Sequence, residues 1–290
     1  MSGVTKAPPL WQLPRRFGSL RDIIAAHARN RPGTVAACTV LAGAAEPDRS
    51  TDTGFFWQGM PALTYGALAR RARAVADGPL SGVPEGARVL LACRPGHDFL
   101  AGFLGCHYAG VIPVPVATAR PRALARTLAD DITQSRAVRV LTHAPLADAL
   151  AAGLPDGAQK LALVCEAGEA EETEPPPMRA LADIAYHQRT SGSTGTPRAV
   201  VIGQDNLLAN VTAIAKAFQI EPGWSTVTWL PPQHDMGLVG GLLTPLALGQ
   251  RTVIMSPAEF VRSPLEWLKT IAAVRAEVSG APNFAYDLCA

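Results

Sequence analysis

The residues best suited to chemistry lie in one nine-residue run that combines hydroxyl groups, two glycines and a terminal cation. Glycine lets consecutive backbone N–H groups point into one concavity, which suits an anion. Hydroxyl side chains add hydrogen-bond donors, and arginine supplies a permanent positive charge. The pattern therefore predicts a loop that binds a polyphosphate. Its members are Thr190, Ser191, Gly192, Ser193, Thr194, Gly195, Thr196, Pro197 and Arg198.

Spacing excludes two better-known glycine-rich loops. A Walker A loop needs four residues between its glycines, but only two separate Gly192 from Gly195. A nucleophile elbow needs glycine two positions before and after a serine, which neither Ser191 nor Ser193 has. An ordinary Ser/Gly/Thr turn is the alternative that stays open. The β-branched run at 199–203 predicts a strand, so the loop is expected to join two strands of a hairpin.

The order of these residues resembles the phosphate loop of the adenylate-forming superfamily, which runs Thr-Ser-Gly-Ser-Thr-Gly-x-Pro-Lys-Gly. That superfamily includes acyl-CoA synthetases, luciferases and peptide-synthetase adenylation domains. Within it the chain is most similar to the fatty acyl-AMP ligases, through segments 229–238, 240–241 and 279–289 and more weakly through 102–106 and 109–116. The His-Asp-Met-Gly-Leu block at 234–238 is the most specific part of this likeness.

The resemblance implies a fatty acid and ATP as substrates, Mg²⁺ as a cofactor, and acyl-AMP and pyrophosphate as products. It implies that His234 is catalytic and lies beside the acyl carboxylate and the adenylate phosphate. It also implies an acyl pocket formed by His234, Asp235, Met236, Gly237, Leu238, Gly241, Asn283 and Phe284. The residues alone leave other roles open: His234 could be a structural residue at a helix entry, Asp235 a helix cap, and Phe284 part of the core.

Three positions depart from the family pattern. Arg198 replaces the loop lysine, Ala199 replaces the next glycine, and Arg189 replaces the aromatic residue that usually precedes the loop. Arginine keeps the positive charge but changes its geometry and reach. Alanine does not readily adopt the positive φ that glycine allows. The end of the loop is therefore the part of the motif that the resemblance describes least well.

Other motifs of the family are not found in this sequence: an adenine-contacting segment, an aromatic-Gly-x-Thr-Glu magnesium motif, a ribose-binding Asp, and a C-terminal domain with a catalytic Lys. The chain is therefore expected to be the N-terminal part of a fatty acyl-AMP ligase-like enzyme, inactive or very poor alone. The alternatives are a non-catalytic acyl- or nucleotide-binding protein of the same fold and a fragment of an acyl-CoA ligase. Other expected partners are an acyl carrier protein or polyketide synthase as acceptor, and the missing C-terminal half.

Composition adds limits on partners and compartment. The 290 residues carry a net charge of +2 with 17% charged residues, which gives no electrostatic case for nucleic acid or a polybasic membrane anchor. Residues 1–17 lack the apolar core of a signal peptide, and the apolar runs 109–119 and 236–249 are too short to span a bilayer. Five cysteines without a CxxC pair predict reduced thiols in the cytoplasm, and the histidines lack metal-ligand spacing.

Helices and strands alternate along the sequence, which predicts an α/β fold with layered, mainly parallel sheets and flanking helices. The resemblance makes this an incomplete N-terminal domain of the adenylate-forming fold. The expected division is a tail at 1–17, a first lobe at 18–165, an acidic proline-rich loop at 166–182, and a second lobe at 183–290. Other element predictions are helix caps at Ser19 and Thr64 and single helices over 237–248 and 259–274.

Overall fold

The computed structural model describes residues 17–40, 61–118, 121–151, 162–164, 180, 182–190, 198–221 and 223–290. The strands are β1 Val35–Thr39, β2 Ala62–Thr64, β3 Arg88–Ala92, β4 Ile112–Pro115, β5 Ala137–Thr142, β6 Ala162–Val164, β7 Ile184–Thr190, β8 Arg198–Gly203, β9 Ser225–Thr228 and β10 Arg251–Ile254. The helices are α1 Leu20–Asn30, α2 Tyr65–Asp77, α3 His97–Tyr108, α4 Pro121–Ser135, α5 Ala144–Ala151, α6 Gln204–Ala217, the π-helix Met236–Leu243, α7 Thr244–Ala247, α8 Pro257–Arg262, α9 Leu265–Val274 and α10 Asn283–Asp287.

Side-chain caps fix the starts of the first two helices as predicted. The Ser19 hydroxyl accepts a hydrogen bond from the backbone N–H of Asp22 at 3.2 Å. The Thr64 hydroxyl accepts one from the N–H of Ala67 at 3.1 Å. Each bond satisfies a donor that the first turn of a helix leaves without an intrahelical partner.

Sheet B is fully parallel, in the order β4-β3-β5-β6. Alternate residues of β3 face opposite sides: Val89 and Leu91 join the main core, while Leu90 and Ala92 join a second core with α4 and α5. Burial on both faces explains why β3 is a continuous apolar run. The prolines of β4 are tolerated because β4 lies at the edge of this sheet.

Sheet A has the order β2-β1-β10-β9 and draws strands from distant parts of the sequence. β10 pairs in parallel with both β1 and β9, and only β2 is antiparallel. Strands β1 and β2 were not predicted, because short runs carry little periodic signal. Since β1 comes from the proposed first lobe and β10 from the second, the two proposed lobes share this sheet.

The hairpin β7–β8 carries the predicted phosphate loop as its connection. The two strands are antiparallel, and the register pairs Thr190 with Arg198. A hairpin at this position is what the sequence predicted. Residues 191–197 lie outside the described residues, as do most of those in the predicted acidic loop at 166–182.

Two of the predicted helices are wrong in their details. The helix over 237–248 starts with a π-helix, Met236–Leu243, before α7. Pro245 has no N–H to donate to the carbonyl of Gly241, so a regular α-helical ladder cannot run through this point. The helix over 259–274 is two helices, α8 and α9, broken where Pro264 restricts the backbone of Ser263. No helix among the described residues has the length and apolar character that crossing a membrane requires.

Candidate active site

A largely apolar cavity of about 570 Å³ lies alongside the π-helix. Its wall is built by α6, the strand β9, the π-helix, the start of α7 and the segment 277–280. The apolar side chains that face it include Ile214, Phe218, Ile220, Trp224, Val227 and Val239. A cavity of this size and lining has the character of a site for an apolar ligand.

Buried hydrogen bonds hold the wall in place. The hydroxyl of Tyr65, a fully buried residue at the start of α2, donates to the carbonyls of Leu246 at 3.1 Å and Gln250 at 2.9 Å, which fixes the end of α7. On the other side, the Ser279 hydroxyl donates to the Val227 carbonyl at 2.7 Å and accepts from the Trp267 indole N–H at 2.9 Å. The segment 277–280 is thereby tied to β9.

The π-helix starts at Asp235, which combines two of the roles considered from the sequence. Its carboxylate Oδ1 accepts a hydrogen bond from the Met236 N–H at 2.8 Å and so caps the helix. Asp235 and Met236 also line the cavity, and both are exposed. A carboxylate side chain therefore stands at an exposed part of the wall of this apolar cavity.

Glycines determine how closely the π-helix approaches β9 and the loop after it. A Cβ on Gly237 would lie 2.3 Å from the Pro231 carbonyl oxygen, and one on Gly241 would lie 2.6 Å from the Thr228 hydroxyl oxygen. Both distances are shorter than real Cβ contacts. A Cβ on Gly240, by contrast, would meet nothing within 4 Å, and Gly240 lines the cavity. The open space beside the π-helix therefore exists in part because Gly240 has no side chain.

Three residues of the His-Asp-Met-Gly-Leu block do not line the cavity: His234, Gly237 and Leu238. His234 is exposed and does not contribute to the cavity wall; its N–H donates to the Pro231 carbonyl at 3.1 Å and its carbonyl accepts from Leu238 N–H at 2.8 Å. Leu238 is fully buried in the main core. The structure thus brings Asp235, Met236 and Gly241 together in the wall, but not His234, Gly237 or Leu238.

Asn283 and Phe284 also lie outside the cavity wall, on α10. Asn283 is exposed, and the half-exposed Phe284 ring packs edge-on against Trp229 with centroids 6.2 Å apart. Trp229 itself stacks on Phe260 at 3.8 Å. Phe284 therefore extends an aromatic cluster on the far side of sheet A.

Strand β7 connects the phosphate-loop hairpin to this site. The Gln188 side-chain amide donates to the Gln233 carbonyl, directly before His234. Burial raises the pKa of Tyr186 to about 12, and the negative charge of Asp235 contributes to that rise. Arg189, which replaces the aromatic residue of the family pattern, forms an ion pair with Asp131 of α4. The backbone that leads into the loop and the start of the π-helix are thus neighbours.

Sequence reasoning missed the contribution of α6. Asn210, Ile214 and Phe218 line the cavity and are spaced four residues apart, so they share one face of the helix. That spacing is visible in the sequence, but nothing in the sequence alone says which partner the face meets.

The described residues contain no group of three or more His, Cys, Asp or Glu side chains that could hold a metal ion. No step of the chemistry below is assigned to the Mg²⁺ that the resemblance implies. For Thr190 and Arg198, at the two ends of the loop, the structure gives the backbone pairing between β7 and β8.

Comparison with known proteins identifies the family. Residues 42–290 match the model of the AMP-binding enzyme family. The chain belongs to the AMP-binding enzymes. The likeness to adenylate-forming enzymes inferred from the loop and the His-Asp-Met-Gly-Leu block is thereby confirmed.

Curated relatives include fatty acyl-AMP ligases. The chain is 34% identical over 237 residues to the long-chain-fatty-acid–AMP ligase FadD26 of Mycobacterium marinum, which covers 78% of this chain and 40% of that protein. It is 32% identical, with the same coverage, to the medium-chain-fatty-acid–[acyl-carrier-protein] ligase JamA of Moorena producens. The chain thus spans about 40% of the length of these relatives.

Solved structures confirm the fold. A fatty acid AMP ligase from Legionella pneumophila matches with a TM-score of 0.80 and 33% identity, over 95% of this chain and 46% of that one. The fatty acyl-adenylate ligase from L. pneumophila in complex with acyl adenylate and pyrophosphate matches with a TM-score of 0.81 and 32% identity. The predicted α/β fold with mainly parallel sheets is therefore correct.

Proposed function

We propose that this AMP-binding protein takes part in activating a fatty acid with ATP, giving an acyl-adenylate and pyrophosphate. The observation that carries the proposal is the apolar cavity beside the π-helix, whose wall contains Asp235, Met236 and Gly241. An apolar cavity of about 570 Å³ suits an alkyl chain better than it suits an amino acid or a sugar. Relatives that act on fatty acids at 32–34% identity support the same substrate class.

In the proposed reaction a carboxylate oxygen attacks the α-phosphorus of ATP. A new oxygen–phosphorus bond forms, the bond between the α-phosphorus and the bridging oxygen breaks, and pyrophosphate leaves with the electron pair. Because two anions must meet, catalysis depends on positioning and on neutralising charge. We assign pyrophosphate binding to the hydroxyls, backbone amides and guanidinium of 190–198, and contact with the reacting carboxylate and phosphate to His234.

We propose that this chain provides part of the active site. It supplies the acyl cavity and the phosphate loop, and we expect it to make little or no acyl-AMP as an isolated 290-residue polypeptide. Release of pyrophosphate with ATP, magnesium and fatty acids measures this directly. Robust turnover by the isolated polypeptide would contradict the expectation that it makes little or no acyl-AMP, but it would not contradict a fatty acid as the substrate. An acyl carrier protein is the acceptor we propose, on the model of the relative from M. producens.

Filling the cavity tests the substrate class. Gly240→Leu places a side chain where no atom lies within 4 Å of the added Cβ. If the new side chain excludes two methylene groups of a long fatty acid, affinity should fall about tenfold, since each buried CH₂ contributes about 0.8 kcal/mol. Octanoate should be affected less than palmitate. Trp224 lines the cavity, so its fluorescence can report binding.

Gly33→Leu is the matched control, because Gly33 is exposed, meets nothing within 4 Å and lies outside the cavity wall. It should bind both acids as the unmodified chain does. Equal palmitate affinity in Gly240→Leu and Gly33→Leu would show that the cavity is not the acyl site.

A further inference from the structure

An aromatic ring at the end of α6 belongs to the cavity wall and yet stands largely in solvent. Phe218 is the C-cap of α6, lines the cavity and is 69% exposed. Ile214, one turn earlier, and Trp224 line the same cavity and are partly exposed. A single exposed apolar side chain is ordinary, but a group of them beside an apolar cavity marks a surface that a ligand covers.

The turn after α6 holds Phe218 at this position. Its N–H donates to the Ile214 carbonyl at 3.0 Å, and the N–H of Ile220 donates to the Ala215 carbonyl at 2.9 Å. Between them Gln219 has a φ of 52°, in the left-handed region that commonly ends a helix. Ile220 therefore turns back into a small core with Ala215, whereas Phe218 stays outside that core.

The start of α6 lies near the start of the π-helix. α6 begins at Gln204, directly after β8. Within the hairpin, Val200 of β8 pairs with Gln188 of β7. The Gln188 side-chain amide donates to the carbonyl of Gln233, two residues before Asp235. The segment that begins the π-helix is thus attached to the hairpin from which α6 starts.

The ends of the two helical stretches also lie close together. Leu248, the C-cap of α7, shares the small core of Ala215 and Ile220. The Gln250 side-chain amide donates to the Glu221 carbonyl at 3.3 Å. α6 also packs against both the π-helix and α7. The two stretches therefore run side by side and in the same direction.

The cavity wall extends along both stretches. On α6 the lining residues run from Asn210 to Phe218, eight residues that cover roughly 12 Å at 1.5 Å per residue. On the neighbouring stretch they run from Asp235 to Pro245. Because the stretches share one direction, the part of the wall at Asp235 and the part at Phe218 are separated along the helices.

We propose that Phe218 covers the distal carbons of a long acyl chain and so contributes to a preference for long fatty acids over medium-chain ones. The inference rests on the proposed function, which assigns contact with the carboxylate to His234, directly before Asp235. A carboxylate there directs the alkyl chain along the helices toward Phe218. A long acid then buries both the ring and its own last methylene groups, which favours its binding.

Calorimetric titration of palmitate and octanoate into the full chain and into Phe218→Ala tests the proposal. A buried phenylalanine covers about 150–250 Å², and a ligand that contacts about a quarter of this area gains about threefold to tenfold in affinity. Phe218→Ala should lower palmitate affinity by that factor and leave octanoate affinity unchanged. Phe218→Leu, which keeps an apolar side chain, should retain most of the palmitate affinity.

Val261→Ala is the matched control, because Val261 is also 69% exposed but lies on α8, outside the cavity wall. It should change neither affinity. Melting curves of all three variants establish that they fold, and Phe218→Leu against Val261→Ala provides the comparison if Phe218→Ala does not.

A chemical readout detects the contact itself. Phe218→Cys places a thiol at the exposed position, and palmitate should protect that thiol from a maleimide whereas octanoate should not. Val261→Cys should react at the same rate with and without palmitate. The rates are corrected for labelling of the unmodified chain, whose own cysteines include the partly exposed Cys289.

The outcomes separate this inference from the function on which it rests. If palmitate binds the unmodified chain and Phe218→Ala equally, or leaves the labelling of Phe218→Cys unchanged, Phe218 does not cover the acyl chain and the acyl cavity stands. An equal loss of octanoate and palmitate affinity in Phe218→Ala would overturn the preference for length. If neither acid binds the unmodified chain, the proposed function falls and this inference falls with it.

Discussion

Gly240 and Gly241 are adjacent in the sequence, yet a methyl group should have opposite effects at the two positions. A Cβ on Gly241 would lie 2.6 Å from the Thr228 hydroxyl oxygen, whereas one on Gly240 would meet nothing within 4 Å. We expect Gly241→Ala to lower the free energy of unfolding by about 1–3 kcal/mol, the usual cost of overpacking. Gly240→Ala should be neutral or stabilise by up to about 1 kcal/mol, because alanine loses less backbone entropy.

Urea denaturation of the two variants measures this difference. Thr228→Ala added to Gly241→Ala should recover part of the loss, since it removes the atom that clashes. Equal stabilities for Gly240→Ala and Gly241→Ala would mean that the π-helix does not approach β9 as closely as the structure shows.

The phosphate loop allows a second prediction at the level of single residues. Thr190→Ala or Ser193→Ala removes one hydroxyl donor, and a hydrogen bond to a charged group contributes roughly 1.5–3 kcal/mol. Pyrophosphate affinity should then fall about tenfold to a hundredfold. Arg198→Ala should weaken pyrophosphate binding and make the affinity less dependent on salt concentration. Arg198→Lys should keep most of the affinity if only the positive charge matters, and lose it if the bidentate guanidinium geometry is needed.

Calorimetric titration of pyrophosphate gives these affinities. Thr133→Ala is a suitable control, because it removes an exposed hydroxyl on α4, which donates to the Ala129 carbonyl. Unchanged affinity in all four loop variants would leave only the ordinary-turn interpretation of 190–198.

At the scale of elements, His107 joins α3 to the hairpin strand β7. Its Nε2 lies 2.8 Å from the Ala185 carbonyl, so the neutral ring carries its proton on Nε2. Nδ1 is buried without a hydrogen-bond partner among the described residues, and a second proton there would find no acceptor in that part of the chain. Burial lowers the pKa of His107 to about 4, from an ordinary value of 6.5.

This lowered pKa predicts a loss of stability in acid. Between pH 6.5 and about 4 the unfolded chain takes up a proton at His107 that the folded chain refuses, so stability is full above pH 6.5 and falls toward pH 4. At 1.36 kcal/mol per pKa unit, the loss is up to about 3 kcal/mol.

Denaturant unfolding at a series of pH values measures the slope. His107→Gln cannot titrate and should show a shallower fall, with some slope left because burial also lowers the pKa of His27, His97, His143 and His187. His234→Gln, which changes an exposed histidine, is the control. An equally steep fall in His107→Gln would remove His107 as its cause.

Elements whose causes lie within a few residues of sequence could be predicted, and elements that depend on distant parts of the chain could not. The caps at Ser19 and Thr64 were predictable because each bond spans three residues. The break at Pro264 was also encoded locally but was overlooked. The π-helix was not predictable in the same way, because it combines Pro245 with the approach of Gly237 and Gly241 to a strand and loop folded against them.

The candidate site was partly predictable for the same reason. The motif located the start of the π-helix, where Asp235 and Met236 enter the cavity wall. It did not reveal that Leu238, three residues after Asp235, turns into the main core. Nor did it reveal the α6 face, whose role depends on which elements meet across the cavity.

At the scale of the whole molecule, the hairpin β7–β8 leaves an open strand. β7 lies beside β4 of sheet B, but among the described strands β8 pairs only with β7. Val200 is 44% exposed and Val201 53%, so apolar side chains are exposed on a strand that has a single neighbour among the described strands. Such edges favour pairing with another chain.

We therefore expect the isolated chain to self-associate through β8. Light scattering after size exclusion should show a mass that rises with concentration, and Val200→Lys with Val201→Lys should lower it, because charge on an edge strand opposes pairing. Val261→Lys is the control, since Val261 is 69% exposed but lies on α8, where no strand edge is available. A cooperatively melting monomer at all concentrations would show that β8 is already protected. Association reduced equally by Val261→Lys would point to general hydrophobic contact instead of strand pairing.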